Sequence, residues 1–270
     1  MNYIKSAKQF LWPELLISNE SALWIIDCYR WALENFDSEE FYQRTALIQP
    51  DNRFFPGDVS SVEEKAENIF KHSLKYAGLE HWPIRLEHTN LQNQQRLESF
   101  GLEKIARNSQ FQSKSQALSE SINTPHTIEI SYNRQLTLKP EDLASHFSHM
   151  FAMHLLKEAN QPPPGGIDYA VEASEVLAVF MGFGVLFSNS AYTFRGGCGS
   201  CYNASANRQA SLSESEILFA LAVFCHLKKI DTKTATQGLK KHLRSSFTIA
   251  RRQVEKMQAC GEVLTLAAAQ

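Results

Sequence analysis

The sequence predicts an α+β fold, predominantly helical, with a small sheet packed against a pair of helices. Three observations carry this expectation. Apolar residues recur at helical spacing in long segments near 20–36, 140–158 and 168–189. Thr127 to Tyr132 (TIEISY) alternates apolar and polar residues as a half-buried strand does. The chain has 270 residues, 43% hydrophobic and 21% charged, enough to bury a core without disulfides or metals.

Taken in order, the first helix spans residues 20–36. Asn19 and Ser21 are candidate N-caps, and Trp24, Cys28 and Trp31 fall at i, i+4 and i+7. Ala46 to Ile48 reads as a short strand, and Phe54-Phe55-Pro56-Gly57-Asp58 as a turn. Residues 61–77 form an amphipathic helix with Ile69, Leu74 and Tyr76 inward and Gly78 at its C-terminal end. Pro83 to His88 alternates through Ile84 and Leu86 and predicts a strand, giving a sheet of three or four strands near residues 46, 84 and 128. The Gln- and Ser-rich stretch 92–123 lacks periodicity and reads as an irregular or mobile insertion in one domain spanning 1–270.

Pro140 opens the next helix at a favoured first-turn position, with Glu141 and Asp142 suited to the positive end of its dipole. It stops before Pro162-Pro163-Pro164-Gly165-Gly166. A long buried helix follows over 168–189. Ser213 and Glu216 form a capping box for a helix reaching about Lys229, and a basic helix over 232–258 closes the chain.

Charge and hydropathy exclude several roles. A formal net charge of −2 gives no general attraction to nucleic acid or anionic membranes. The longest apolar run, Val176 to Phe187, is broken by Gly182 and Gly184 and is shorter than the roughly 20 residues a membrane span needs. The first twenty residues show neither a signal-peptide core nor a cleavage site, so the expected compartment is the cytoplasm. The five cysteines are an odd number, and no disulfide framework is expected.

Three features bear on chemistry. The helix from Pro140 carries His146, His149, Met150, Met153 and His154. Cys198-Gly-Ser-Cys201 could clip one zinc, stabilise a loop as thiols, or act in redox chemistry, though it does not follow a strand as thioredoxin-like motifs do. The segment from Lys228 to Lys256 holds nine Lys/Arg against Asp231 and Glu255. That segment reads as the solvated face of an amphipathic helix or as a surface for nucleic acid, and no DNA- or RNA-binding signature accompanies it.

The order of these segments resembles a bacterial group of zincin-like proteins. In that group a strand leads into a proline-started helix with an HELAH-type motif, then a Pro/Gly stretch and a helix like TDLLAVFLGFGIFLANSAF. The matching residues are Ile130-Ser131-Tyr132-Asn133, Pro140, Ala152, Leu155-Leu156, Pro162 to Gly166, and Ser174 to Gly184 continuing into Ser188 to Ala191. Phe54-Phe55-Pro56 and Leu212-Ser213-Glu214 also match. In such motifs two histidines bind zinc and the glutamate activates its water.

The resemblance places the motif on His149 to Met153. His149 is kept, Met150 stands for the glutamate, Met153 for the second histidine, and Val171 for a third ligand, with Glu172 adjacent and Glu175 in place of an aspartate. It therefore implies a catalytically inactive zincin-like protein that acts through binding or structure, with an unknown protein partner. The alternatives are a metal-dependent hydrolase drawing on His146, His149, Glu172 and Glu175, and a nucleic-acid accessory role for the basic helix. His146, His149 and Met153 could also share one face as a set suited to Cu(I). The competing reading has these histidines and methionines pack in a vestigial cleft.

Overall fold

A computed structural model describes residues 15–36, 38–87, 127–191 and 211–259. The fold is predominantly helical with a small sheet, as expected. Its elements are α1 (Asn19–Asn35), α2 (Ser38–Gln43), α3 (Val62–Tyr76), β1 (Ile84–Glu87), β2 (Ile128–Ser131), α4 (Pro140–Lys157), α5 (Ala170–Ala178), α6 (Gly184–Ser190), α7 (Glu214–Leu227), α8 (Thr232–Thr236) and α9 (Leu243–Ala259). The expected insertion at 92–123 and the Cys198/Cys201 pair lie outside the described residues.

The helix ends follow from local chemistry. Ser18, rather than Asn19 or Ser21, caps α1 by accepting from the Ser21 amide. Gly78, at φ 72, closes α3: its amide bonds the Lys75 carbonyl at 3.0 Å and the Leu79 amide bonds Leu74 at 3.1 Å. Pro140 opens α4 with Glu141 and Asp142 in the first turn, and Ser213 and Glu216 complete the capping box of α7.

Three expectations are corrected. Among the described residues the sheet has two strands, β1 and β2, paired in parallel with Ile84 opposite Ile128. Ala46 to Ile48 is not a strand: the Ile48 amide bonds the Gly182 carbonyl at 3.0 Å, and among the described residues no strand pairs with it. The expected helix over 232–258 is two helices, α8 and α9, separated at Gly238. There the Asn189 amide group donates to the Gly238 carbonyl at 2.9 Å, and its Oδ1 accepts from the Lys240 amide at 3.0 Å. These bonds take backbone groups that a continuous helix would use internally.

The buried apolar side chains form a cluster to which all the longer helices contribute. At its centre runs the segment Ile167–Ser190, which is interrupted rather than continuous. Val179–Phe183 takes a wider π turn, and Gly182 sits at φ 100. This segment has the length and apolarity of a membrane span, with mean hydropathy 1.8 over its 18 most apolar consecutive residues, but 83% of that window is buried inside the protein. Helix α4 packs against α3, α5 and α6, while α7 packs against α1, α6 and α9.

Gly182 is the tightest point of this arrangement. A Cβ there would lie 2.1 Å from the Ala46 carbonyl oxygen, which is backbone and cannot swing aside. Gly182→Ala therefore combines a left-handed conformation with a backbone clash. Urea unfolding should show a loss of about 3 kcal/mol or more.

Candidate functional site

The residues singled out from the sequence sit mainly on α4 and α5, two neighbouring helices. Between Asp142 and Leu156 every residue of α4 is buried except four: His146, His149, Met150 and Met153 are half-buried. Their spacing of i, i+3, i+4 and i+7 makes them one continuous strip. The rest of the helix circumference is fixed by packing, with Phe147 and Phe151 against Phe70 of α3.

Each imidazole is anchored at Nε2. The His146 Nε2 lies 3.0 Å from the Ser131 carbonyl oxygen at the end of β2. A carbonyl only accepts, so Nε2 carries the proton. The His149 Nε2 lies 2.8 Å from Ser174 Oγ on α5, and that hydroxyl donates to the Val171 carbonyl at 2.6 Å. The hydroxyl has one proton, already given to Val171, so His149 must donate from Nε2. A nucleophilic serine needs the reverse arrangement, with its proton passed to the histidine. This pair is a tether between helices.

The acidic candidates, Glu172 and Glu175, lie on α5. Glu175 is fully buried, and its two carboxylate oxygens accept from the Ser211 amide at 3.2 Å and the Leu212 amide at 2.9 Å. It fixes the chain entering α7. Glu172 is half-buried and Val171 is 41% exposed. Among the described residues no group of three or more His, Cys, Asp or Glu side chains is placed to hold a metal ion. The structure thus brings His146, His149, Met150 and Met153 onto one strip, and gives both carboxylate oxygens of Glu175 to backbone amides.

The surroundings of two residues are not evident from the sequence. Ser174 gave no signal beyond its place in the apolar stretch of the 168–189 helix. His154 lies one turn beyond Phe151 and two beyond Phe147 on the buried face, is 3% exposed, and has no hydrogen-bond partner at either ring nitrogen. Burial, with a smaller contribution from Lys157, pushes its pKa down to about 4. Its spacing from the two phenylalanines was the available signal.

The basic segment is partly consumed by structure. Lys228 donates to the Phe41 and Tyr42 carbonyls, Lys240 to Asn189, Arg244 to Leu239, and Arg251 to Ile230. Lys229, Lys233, Lys241, Arg252 and Lys256 remain exposed. Cys28 and Cys225 are buried, and burial raises both thiols, Cys225 to about 12. Neither is a reactive thiol.

Two expectations follow. The unfolded chain protonates His154 near the ordinary value, whereas the folded chain keeps it neutral down to about pH 4. Its share of stability is present above the unfolded pKa and lost as pH falls toward 4, a change of about 3 kcal/mol. His154→Leu should flatten that part of the pH–stability curve and raise stability at neutral pH by roughly 1–2 kcal/mol. Glu175→Gln replaces one acceptor oxygen by a donor facing an amide, and should cost about 1–3 kcal/mol in urea unfolding. Comparison with protein-family models, with curated proteins and with solved structures finds no match for this chain.

Proposed function

We propose that this chain is a catalytically inactive zincin-like protein that acts in the cytoplasm through binding or as a structural partner of another protein. The observation that carries the reading is the chemistry at three positions. Thioethers, Met150 and Met153, stand where a water-activating carboxylate and a second imidazole would be required, and Val171 stands for the third ligand. Zinc hydrolysis needs three protein ligands and a base near the open position. His149 alone cannot supply them.

The geometry around His149 supports this correspondence. Ser174, which accepts from His149, lies one turn after Val171. Positions 149 and 171 therefore belong to facing turns of α4 and α5. The alternative of an unorthodox hydrolase using Glu175 is disfavoured, because that carboxylate already serves two backbone amides. A nucleic-acid role is disfavoured because four of the nine basic side chains on 228–256 donate to backbone carbonyls.

Two measurements test the proposal. The purified chain should show no chelator-sensitive cleavage of peptide substrates, and such cleavage would overturn the reading. In a background with Cys198→Ser and Cys201→Ser, which removes any zinc clip there, the triple substitution Met150→Glu, Met153→His and Val171→Glu should gain about one zinc per chain. Failure of a folded triple variant to take up zinc would remove the zincin-like correspondence.

A further inference from the structure

We propose that the cleft between residues 50–59, α3 and the first turn of α4 binds a free amino acid with an apolar side chain. Glu141 takes its ammonium group and Lys65 its carboxylate. The proposal goes beyond the non-catalytic reading and does not rest on it.

A formed space is the first support. The cleft has a volume of about 320 Å³, at the small end of the range for small-molecule sites. Its loop is pinned from both sides. The Phe54 and Phe55 amides turn back onto the Asp51 carbonyl at 3.1 and 3.0 Å. From α3, the Tyr76 hydroxyl donates to the Phe54 carbonyl at 2.6 Å, and Asn68 Nδ2 donates to the Pro56 carbonyl at 3.0 Å. Phe55 stands edge-on to Tyr76, with ring centroids 6.1 Å apart. A ligand entering this cleft would have little backbone to order.

The polar groups on its wall are the second. Asp51 is already satisfied by Arg53, whose amide and guanidinium donate to it at 2.6–3.2 Å. Glu141 is not: its Oε2 is enclosed and has no hydrogen-bond partner. A carboxylate oxygen shut away from water calls for a donor. Lys65 lines the same cleft, yet no ion pair joins it to Glu141 among the described residues. A glutamate carboxyl group turns broadly about its last bond, so either oxygen can be offered to the cleft. Asn68 uses Nδ2 on Pro56 and keeps Oδ1 as an acceptor. The lining therefore holds acceptors for an ammonium group and one cation for a carboxylate. Between them lies apolar surface that is not yet covered. Val59 is 39% exposed and Phe55 half-buried, beside the buried Ile69 and Leu186. An aliphatic or aromatic side chain laid on Val59 and Phe55 removes that surface from water.

The test is calorimetric titration of the full chain with L-leucine, L-methionine and L-phenylalanine, each raised to millimolar concentration. At least one should bind with about one site per chain. The same ligand should move the backbone amide signals of Gly57, Val59 and Asn68 in proton–nitrogen correlation spectra. Its N-acetyl derivative, which lacks the ammonium group, and its carboxamide, which lacks the carboxylate, should each bind at least about tenfold more weakly. Glu141→Gln and Lys65→Met should each weaken the free amino acid at least about tenfold and leave the far-ultraviolet circular dichroism unchanged. Binding of none of the three amino acids overturns the proposal. So does binding that leaves the amides of the cleft unmoved, that ignores both substitutions, or that is as tight for the N-acetyl derivative. None of these outcomes bears on zinc uptake or peptide cleavage, so the two readings fail separately.

Discussion

Complete burial of the chain from Ala173 to Ala191 is the constraint from which the rest follows. A buried backbone or side-chain polar group without a partner costs about 1–3 kcal/mol, so each one on this segment needs a protein partner. The Gly182 carbonyl takes the Ile48 amide, Glu175 takes two amides before α7, and Asn189 takes the turn at Gly238 and Lys240. Ser174 donates to Val171 and accepts from His149, and Ser188 donates to Gly184. The neighbouring segments are thus placed by the polar groups of a central segment that is otherwise apolar.

The same constraint explains what could be read from the sequence. Helices with local start and stop signals were legible: Pro140 with its acidic first turn, the Ser213/Glu216 box, and Gly78 each act within a few residues. What was not legible depends on distant partners. The extended segment at Ala46 to Ile48 has the composition of a strand, but its amide meets a π turn more than 130 residues away. The single basic helix expected over 232–258 is broken by Asn189, and Gly238 was the local hint. A Cβ at Gly238 would lie 2.2 Å from Gln49 Oε1 and 2.6 Å from Pro50, so close packing as well as hydrogen bonding holds that turn.

The site was legible in its residues and not in its bonding. His146 and His149 could be placed on one helix face from spacing alone. That Ser131 and Ser174 would fix their tautomers depends on where β2 ends and how α4 lies on α5. Glu175 shows the limit most clearly. As a residue type it is a plausible ligand, yet its two oxygens serve the amides of Ser211 and Leu212, 36 and 37 residues later. Sequence spacing gave no sign of that partner.

Unequal constraint across the α4–α5 pair shows how such a scaffold could persist without hydrolytic chemistry. Glu175 is buried against two amides that have no water to turn to, so packing and hydrogen bonding together require an acceptor there. Met150 is half-buried and packs against the core cluster, Met153 is half-buried and Val171 is exposed, so these positions are less enclosed than Glu175. Surface substitutions away from packed features usually change stability by less than about 0.5 kcal/mol. On the proposed reading, the carboxylate and imidazole needed for hydrolysis would have occupied positions less enclosed than Glu175. The buried polar groups are maintained by the fold itself, whereas the identity of the outward strip on α4 is open to whatever that surface binds.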